Sequence, residues 1–463
     1  MKKPEFSILS FSPFLGQFFG LIFFLLPTLS GAIETAFEQD PSLPIVYLNI
    51  AIQSGSVSDP PGQAGLTNFM GEMLLRGTSS QTKKQIDLAL DQMGASLEVE
   101  TRLEAMIFRG AVLSSQLKPF LELLHEILCR PSFTGREIKK LKAEITSLLQ
   151  EELGHDHSLT YRKFNHFLFQ DHPYGKSILG QISELQQLTH TSLLSHYESL
   201  IKSSLILVLA TGDTSLEQIS GWSQQLEKTL SSRRTAESTP SVKLQTPQDS
   251  NHRRLLLIDK PDRTQTQIYG GQIGVHLTDP DYFPLYIGNH AFGGPSFSAI
   301  LMTQIRVKRG WSYGANSSFR FGTQPRSWSF HLFPAEKNTP QALEYTLHLI
   351  ENLKEKGITA AQFEFAKESL IKSSGFMYNT PRLRIENKLL EKTLNLPQGF
   401  MQSYATELKK IQLSQVNAAL KKFLKPDQMA IAVLGTAKNL TESLTRSTQL
   451  SPDKIQVVSY TSD

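Results

Sequence analysis

Apolar positions along this chain follow two rhythms, and the order in which those rhythms appear is used twice. Residues 43–52 read as a strand that alternates in its second half. Leu66, Phe69, Met70, Met73 and Leu74 then fall at i, i+3, i+4, i+7 and i+8, one face of a helix that ends by Gly77. Thr82 and Gln85 have capping-box spacing and predict a second helix, closed by Gly94. Residues 95–100 and 105–113 alternate and predict an antiparallel pair. Amphipathic helices over 116–128 and 134–153 and a helical region over 183–202 lead to a wholly apolar strand at 205–210. The texture then changes. Residues 231–254 hold few large apolar side chains and two prolines, the signature of a linker.

Beyond the linker the plan repeats. Strands are predicted at 255–258, 266–275 and 327–333, with helices at 341–354 and 360–372. Each half closes alike: 205–212 and 429–435 are buried strands ending in glycine, each followed by a polar cap and a helix. Two sequential copies of one α/β unit, 33–230 and 255–463, account for this order.

Within the second copy, residues 293–319 stand out. A double glycine precedes Phe297, Leu301 and Ile305 at i, i+4 and i+8, which predicts a helix with those three facing a core. Lys308 and Arg309 suit its last turn, Gly310 suits a left-handed stop, and Trp311-Ser312-Tyr313 opens a strand. Arg306, at the helix end, and Tyr313, at the strand start, are thereby brought near one another.

At 463 residues and 40% hydrophobic content the chain is long enough for two cores and too apolar for disorder. Its net charge of +4 is spread without a basic run, which argues against nucleic-acid binding. The first residues differ from the rest. Lys2 and Lys3 precede an apolar run from Phe11 to Leu29, and Ser30-Gly31-Ala32 offers a small-residue cleavage site. This predicts a signal peptide over 1–32 and a secreted, periplasmic protein; an uncleaved N-terminal membrane anchor is the alternative. Cys129 is the sole cysteine, so no disulfide can form within the chain, and it reads as a small buried hydrophobe.

Several phrases carry a family resemblance: SGSVSDPPGQAGLTNFMGEMLLRGT, DQMGASLEVE, DHPYGKSILG, and DYFPLYIGNHAFGG running into the stretch at 293–319. Together they resemble the pitrilysin/insulinase family of zinc peptidases, in its short bacterial form related to mitochondrial processing peptidase. The resemblance spans nearly the whole chain after residue 32. It implies an α+β fold of two tandem, structurally similar halves, each a mainly antiparallel sheet covered by helices, together forming a clam-like shell.

Active members of that family carry HxxEH on the first helix: two histidines one turn apart bind zinc, and the glutamate between them acts as general base. This chain has Asn68, Gly71 and Glu72 at those positions. Asparagine is a poor zinc ligand and glycine accepts no proton. Glu72 offers one carboxylate, and Glu144, Gln150, Glu151 or Glu152 stands where the family supplies a third ligand. No metal site is expected from this set. Gly71 in mid-helix costs about 1 kcal/mol relative to alanine, which points either to a close neighbour or to relaxed selection. His155, His157, His166 and His172 read as solvated loop histidines around a helix-to-loop passage. Ser296 and Ser298, which lack a GxSxG setting, read as helix caps.

What the resemblance leaves is Arg306 and Tyr313. In the family, an arginine and a tyrosine at this spacing reach toward bound peptide, and in paired members one chain carries HxxEH while the other carries this pair. The resemblance therefore implies a non-catalytic subunit that binds extended peptide and completes the active site of a homologous HxxEH partner, zinc being in that partner. A guanidinium presents five fixed donors, and a phenol can donate to a developing oxyanion. Val307 departs from the pattern, since glutamate commonly follows the arginine. The alternatives are an autonomous metallopeptidase built on Glu72, the 144–152 helix and a histidine, or a structural subunit like the core proteins of respiratory complexes.

Overall fold

The computed structural model describes residues 33–231, 244–451 and 454–462. The expected signal peptide and residues 232–243 of the expected linker lie outside them. The first half forms a sheet from β1 (Ile33–Gln39), β2 (Ile45–Ile52), β3 (Ser96–Thr101), β4 (Met106–Leu113) and β5 (Ile206–Gly212), in the order β1-β5-β2-β4-β3. Only the β1–β5 contact is parallel. The second half has β6 (Arg254–Asp259), β7 (Gln267–Ile273), β8 (Ser312–Phe319), β9 (Ser327–Pro334), β10 (Ala430–Gly435) and β11 (Ile455–Ser459), in the order β11-β6-β10-β7-β9-β8. Here β6 pairs in parallel with β10 and β11, and the remaining contacts are antiparallel. The mixed α+β architecture with two mainly antiparallel sheets is as expected. β1 was not anticipated, because in Ile33-Glu34-Thr35-Ala36 only the two apolar positions are buried.

With two exceptions, α5 and α12, the helices of each half lie with its own sheet. In the first half these are α1 (Leu66–Leu74), α2 (Lys83–Met93), α3 (Leu117–Cys129), α4 (Gly135–Glu152), α5 (Asp156–Phe169), α6 (Ile182–Gln187), α7 (His190–Ser203) and α8 (Leu216–Ser231). The second half has α9 (Tyr282–Gly293), α10 (Thr339–Lys356), α11 (Ala360–Ser374), α12 (Pro381–Thr393), α13 (Phe400–Lys410), α14 (Leu413–Phe423) and α15 (Ala437–Thr448). The capping box forms at α2, where the Thr82 amide donates to Gln85 Oε1 at 2.9 Å. Cys129 is fully buried at the end of α3.

Two helices do not stay with their own half. α5 lies against the second sheet, where Leu159, Phe164 and Leu168 join Leu256, Ile258 and Leu434 in one apolar cluster. α12 crosses the other way and sets Ile385 and Leu389 among Ala51, Ile107 and Leu209 of the first sheet. Its polar side chains clamp the crossing. Arg384 pairs with Glu38, Lys392 pairs with Glu34 at 2.5 Å, and Glu386 accepts from Asn49 at 2.9 Å. This exchange explains why β2 and β5 are buried at almost every position instead of alternating: both faces are covered.

Candidate functional site

The positions of the absent metal motif lie on α1. That helix is anchored by Asp59, which accepts from the amides of Gly65 and Thr67 at 2.7 Å and from the Thr67 hydroxyl at 2.6 Å. Burial pushes the Asp59 carboxyl up to about 6 against those bonds. The Thr67 hydroxyl also meets His196 Nε2 at 2.8 Å, and burial pushes His196 down to about 4. Asn68 and Glu72 are half-buried one turn apart, while Gly71 is buried.

Gly71 has a physical reason. A Cβ placed there would stand 2.7 Å from Met106 Sδ and 3.3 Å from Val99, so β3 and β4 press directly on the helix. Met106 is fully buried and fills the room a glutamate side chain would need. The close-neighbour explanation is therefore the one the structure supports.

Of the candidate third ligands, Glu144, Glu151 and Glu152 have partners of their own, and Gln150 is exposed. Arg76, one turn beyond Glu72, pairs with Glu144 through both terminal nitrogens and lies 3.6 Å from Glu137. Hydrogen bonding from Arg76 holds Glu144 below the usual carboxylate range. Burial raises Glu72, with Arg76 opposing it. Glu152 pairs with Arg162 at 3.0 Å and Glu151 with His155 at 3.7 Å. Arg76 thus neutralises Glu144 beside Glu72, Arg162 takes Glu152, and this donor set does not fit zinc. Among the described residues, no group of three or more His, Cys, Asp or Glu side chains is arranged to hold a metal ion.

The histidines are a correction in part: His155, His157 and His166 are exposed as expected, but His157 and His166 are helical. Asp156 and His157 open helix α5 instead of lying in a loop, and His155 caps it. His157 is exposed, yet its Nε2 meets the Tyr269 hydroxyl at 2.8 Å, and its ring centre is 4.7 Å from that of His331. His331 is pushed to about 3 by burial and by His157. His172 bonds the Gln245 carbonyl at 2.8 Å.

Arg306 and Tyr313 are brought together. The Arg306 guanidinium carbon sits 4.1 Å from the Tyr313 ring centre and 4.9 Å from that of Phe297. Two backbone irregularities aim the pair. Met302–Val307 is a π-helical turn in which the Lys308 amide donates to the Thr303 carbonyl, five residues back, at 3.0 Å; such turns recur at functional sites. Gly310 takes the expected left-handed stop at φ 62°. The register of β8 against β9 then shifts between Ser312 and Ala315, a bulge that carries Tyr313 outward. Ser312 Oγ fixes it by donating to the Gly314 carbonyl at 2.6 Å and accepting from the Phe333 amide at 2.9 Å.

Leu301 and Ile305 face the core as expected, but Phe297 does not. It lies in a turn before the helix begins, 64% exposed, and stacks on Arg306. Ser296 and Ser298 do not cap that helix; Ser296 Oγ accepts from the Ser298 amide at 3.1 Å within the turn. Tyr313 is 73% exposed and Val307 63%. A cation between two rings is held by about 0.5–1 kcal/mol per exposed contact. Among the described residues no carboxylate pairs with Arg306. The pair and the α1 positions do not meet: Glu72's charged neighbours are Arg76, Glu144 and Lys83, all of the first half.

Comparison with known proteins places this geometry. Residues 34–181 match the family described as Insulinase (Peptidase family M16), and residues 187–370 match the Peptidase M16 inactive domain. The chain is 22% identical over 408 residues to the "Non-peptidase homolog YmxG" of Helicobacter pylori, covering 88% of this chain and 92% of that one. It is 24% identical over 260 residues to the "Probable mitochondrial-processing peptidase subunit beta, mitochondrial" of Arabidopsis thaliana, covering 56% of this chain and 48% of that one. Its fold is shared with a solved peptidase M16 inactive domain from Pseudomonas fluorescens at a TM-score of 0.80 and 21% identity, covering 90% and 98% of the two chains.

Proposed function

The chain belongs to the insulinase family, peptidase family M16, and from that premise we propose that it is a non-catalytic subunit acting beside a homologous partner chain that carries HxxEH. The observation that carries this reading is the contrast between its two sites. The α1 positions are packed under Met106 and neutralised by Arg76, while Arg306 and Tyr313 are held outward and ordered by a π-turn and a bulge. A cation stacked between two aromatic rings, with no acid paired to it among the described residues, is poised for a partner's peptide.

In this reading the partner supplies zinc and the hydrolytic water. Arg306 donates to a carbonyl or carboxylate of an extended peptide and fixes its register. The Tyr313 hydroxyl donates to the oxygen on which negative charge develops. β8 is an edge strand of its sheet among the described residues, so the peptide can add alongside it. Residues 1–32 fit a signal peptide, which supports a location outside the inner membrane for the pair. The test is the metal content and peptide hydrolysis of the isolated chain. The proposal expects neither bound zinc nor cleavage; stoichiometric zinc with turnover would sink it.

A further inference from the structure

Between the halves lies a cavity of about 840 Å³, within the roughly 300–1,000 Å³ span of small-molecule sites. It does not include Arg306 or Tyr313. Its floor comes from the second half and is aromatic: Tyr282 and Tyr286 have ring centres 5.6 Å apart, and Tyr404 lies 6.1 Å from Tyr286. Ring faces, together with Leu390 and Met401, are what the floor presents.

The opposite wall is cationic. Arg320 and Arg326 stand on the two limbs of the β8–β9 turn, drawn together by the Arg320 amide donating to the Ser327 carbonyl at 2.8 Å. Arg320 lies 5.6 Å from the Tyr161 ring centre and Arg326 lies 5.7 Å from that of Tyr174. Neither guanidinium pairs with a carboxylate among the described residues, and Arg326 Nε is buried without a hydrogen-bond partner. The other charges in the walls are accounted for. Arg102 pairs with Glu100 and Arg162 with Glu152, while Glu104 accepts from the Tyr174 hydroxyl at 2.5 Å and the Thr323 amide at 3.1 Å. Lys176 adds a further positive charge to the lining.

We propose that this cavity binds an amphipathic carboxylate, its aliphatic or aryl tail on the Tyr282–Tyr404 floor and its head at Arg320 and Arg326. Paired N–H donors of a guanidinium match a carboxylate in shape and charge. Both halves contribute walls, so the ligand bridges them.

The test is calorimetric titration of the full mature chain with dodecanoate below its micelle concentration, alongside dodecanol and a blocked apolar hexapeptide. Saturable one-site binding of dodecanoate is expected, weakened about tenfold or more by the double variant R320Q/R326Q and abolished by Met377→Trp at the cavity wall. Circular dichroism reports whether each variant is folded; if the double variant is not, R320Q and R326Q singly carry the same comparison. Absence of saturable dodecanoate binding overturns the proposal. So does equal affinity for dodecanol, tighter binding of the peptide, or indifference to the arginine substitutions.

Discussion

Gly71→Ala gives a sharp reading of how the metal position was closed. In an unobstructed helix, replacing this glycine with alanine stabilises by about 1 kcal/mol. Here the new Cβ would stand 2.7 Å from Met106 Sδ, with Val99 at 3.3 Å and Thr101 Oγ1 at 3.4 Å, so Met106 must move. Met106 has no solvent to move into, and forcing a methyl group into a packed core costs roughly 1–3 kcal/mol. The two effects oppose, and the net expectation is a loss of about 0–2 kcal/mol in place of the gain. Met106→Ala alone should cost about 2–5 kcal/mol through the cavity it leaves. Made together, the two changes should cost less than their sum by about 1 kcal/mol or more, because the added methyl no longer collides. Urea denaturation of the four proteins measures each term. If Gly71→Ala gains the full helix-propensity increment, or the two substitutions add without coupling, Met106 is not what excludes a side chain from position 71. For the same reason, rebuilding HxxEH by N68H, G71E and E72H should not yield a zinc site while Met106 remains.

Other consequences follow from the same packing. Arg76→Ala should destabilise by about 1–3 kcal/mol in urea melts, since it strands Glu144 and Glu137 beside half-buried Glu72, and the partial exposure of Glu144 moderates the cost. Tyr174→Phe should cost about 1–2 kcal/mol, because its hydroxyl joins Glu104 of the first half to the Gln324 amide of the second at 2.9 Å; an unchanged melting midpoint would count against that contact. His196 should make the fold acid-sensitive. Its folded pKa of about 4 lies below the unfolded 6.5, so stability is lost as pH falls from 6.5 toward 4, about 2 kcal/mol between pH 7 and pH 5. Asp59 opposes this: raised from 3.8 to about 6, it contributes stability as pH falls through that window. The stability difference between wild type and His196→Asn should therefore shift by about 2 kcal/mol from pH 7 to pH 5, and a constant difference would rule the buried neutral imidazole out.

Local periodicity carried most of the fold. The stripe on α1, the capping box of α2 and the β3–β4 pair were legible because their signals lie within a dozen residues. Helix α5 escaped because its buried side chains, Leu159, Thr160, Lys163 and Phe164 among them, face a sheet some hundred residues further along. Periodicity reports that a face is covered and is silent on what covers it, so neither α5 nor the reciprocal crossing of α12 could be read. The nearness of Arg306 and Tyr313 is legible from a helix, a stop and a strand start, and their role comes from the family resemblance, but the devices that aim the pair are in neither. A π-turn adds one residue to a helix, and a bulge adds one to a strand. Both break the periods on which the reading depends, and Phe297 stacks on Arg306 instead of facing the core because the helix starts three residues after it. Gly71 was visibly odd in sequence, yet its cause, Met106, lies on another strand.

The central claim is that this chain holds no working metal site and lends Arg306 and Tyr313 to a partner. The most direct measurement is peptide turnover by the complex reconstituted with an HxxEH-bearing homologous chain, comparing wild type with Arg306→Ala and Tyr313→Phe, with association followed by sedimentation. Because Tyr313 is exposed and Arg306 is half-buried with only ring contacts, the isolated variants should melt within about 1 kcal/mol of wild type. The account predicts that each variant still assembles while kcat/KM falls by about a hundredfold for the lost oxyanion donor. Undiminished turnover by both variants in an intact complex would contradict it.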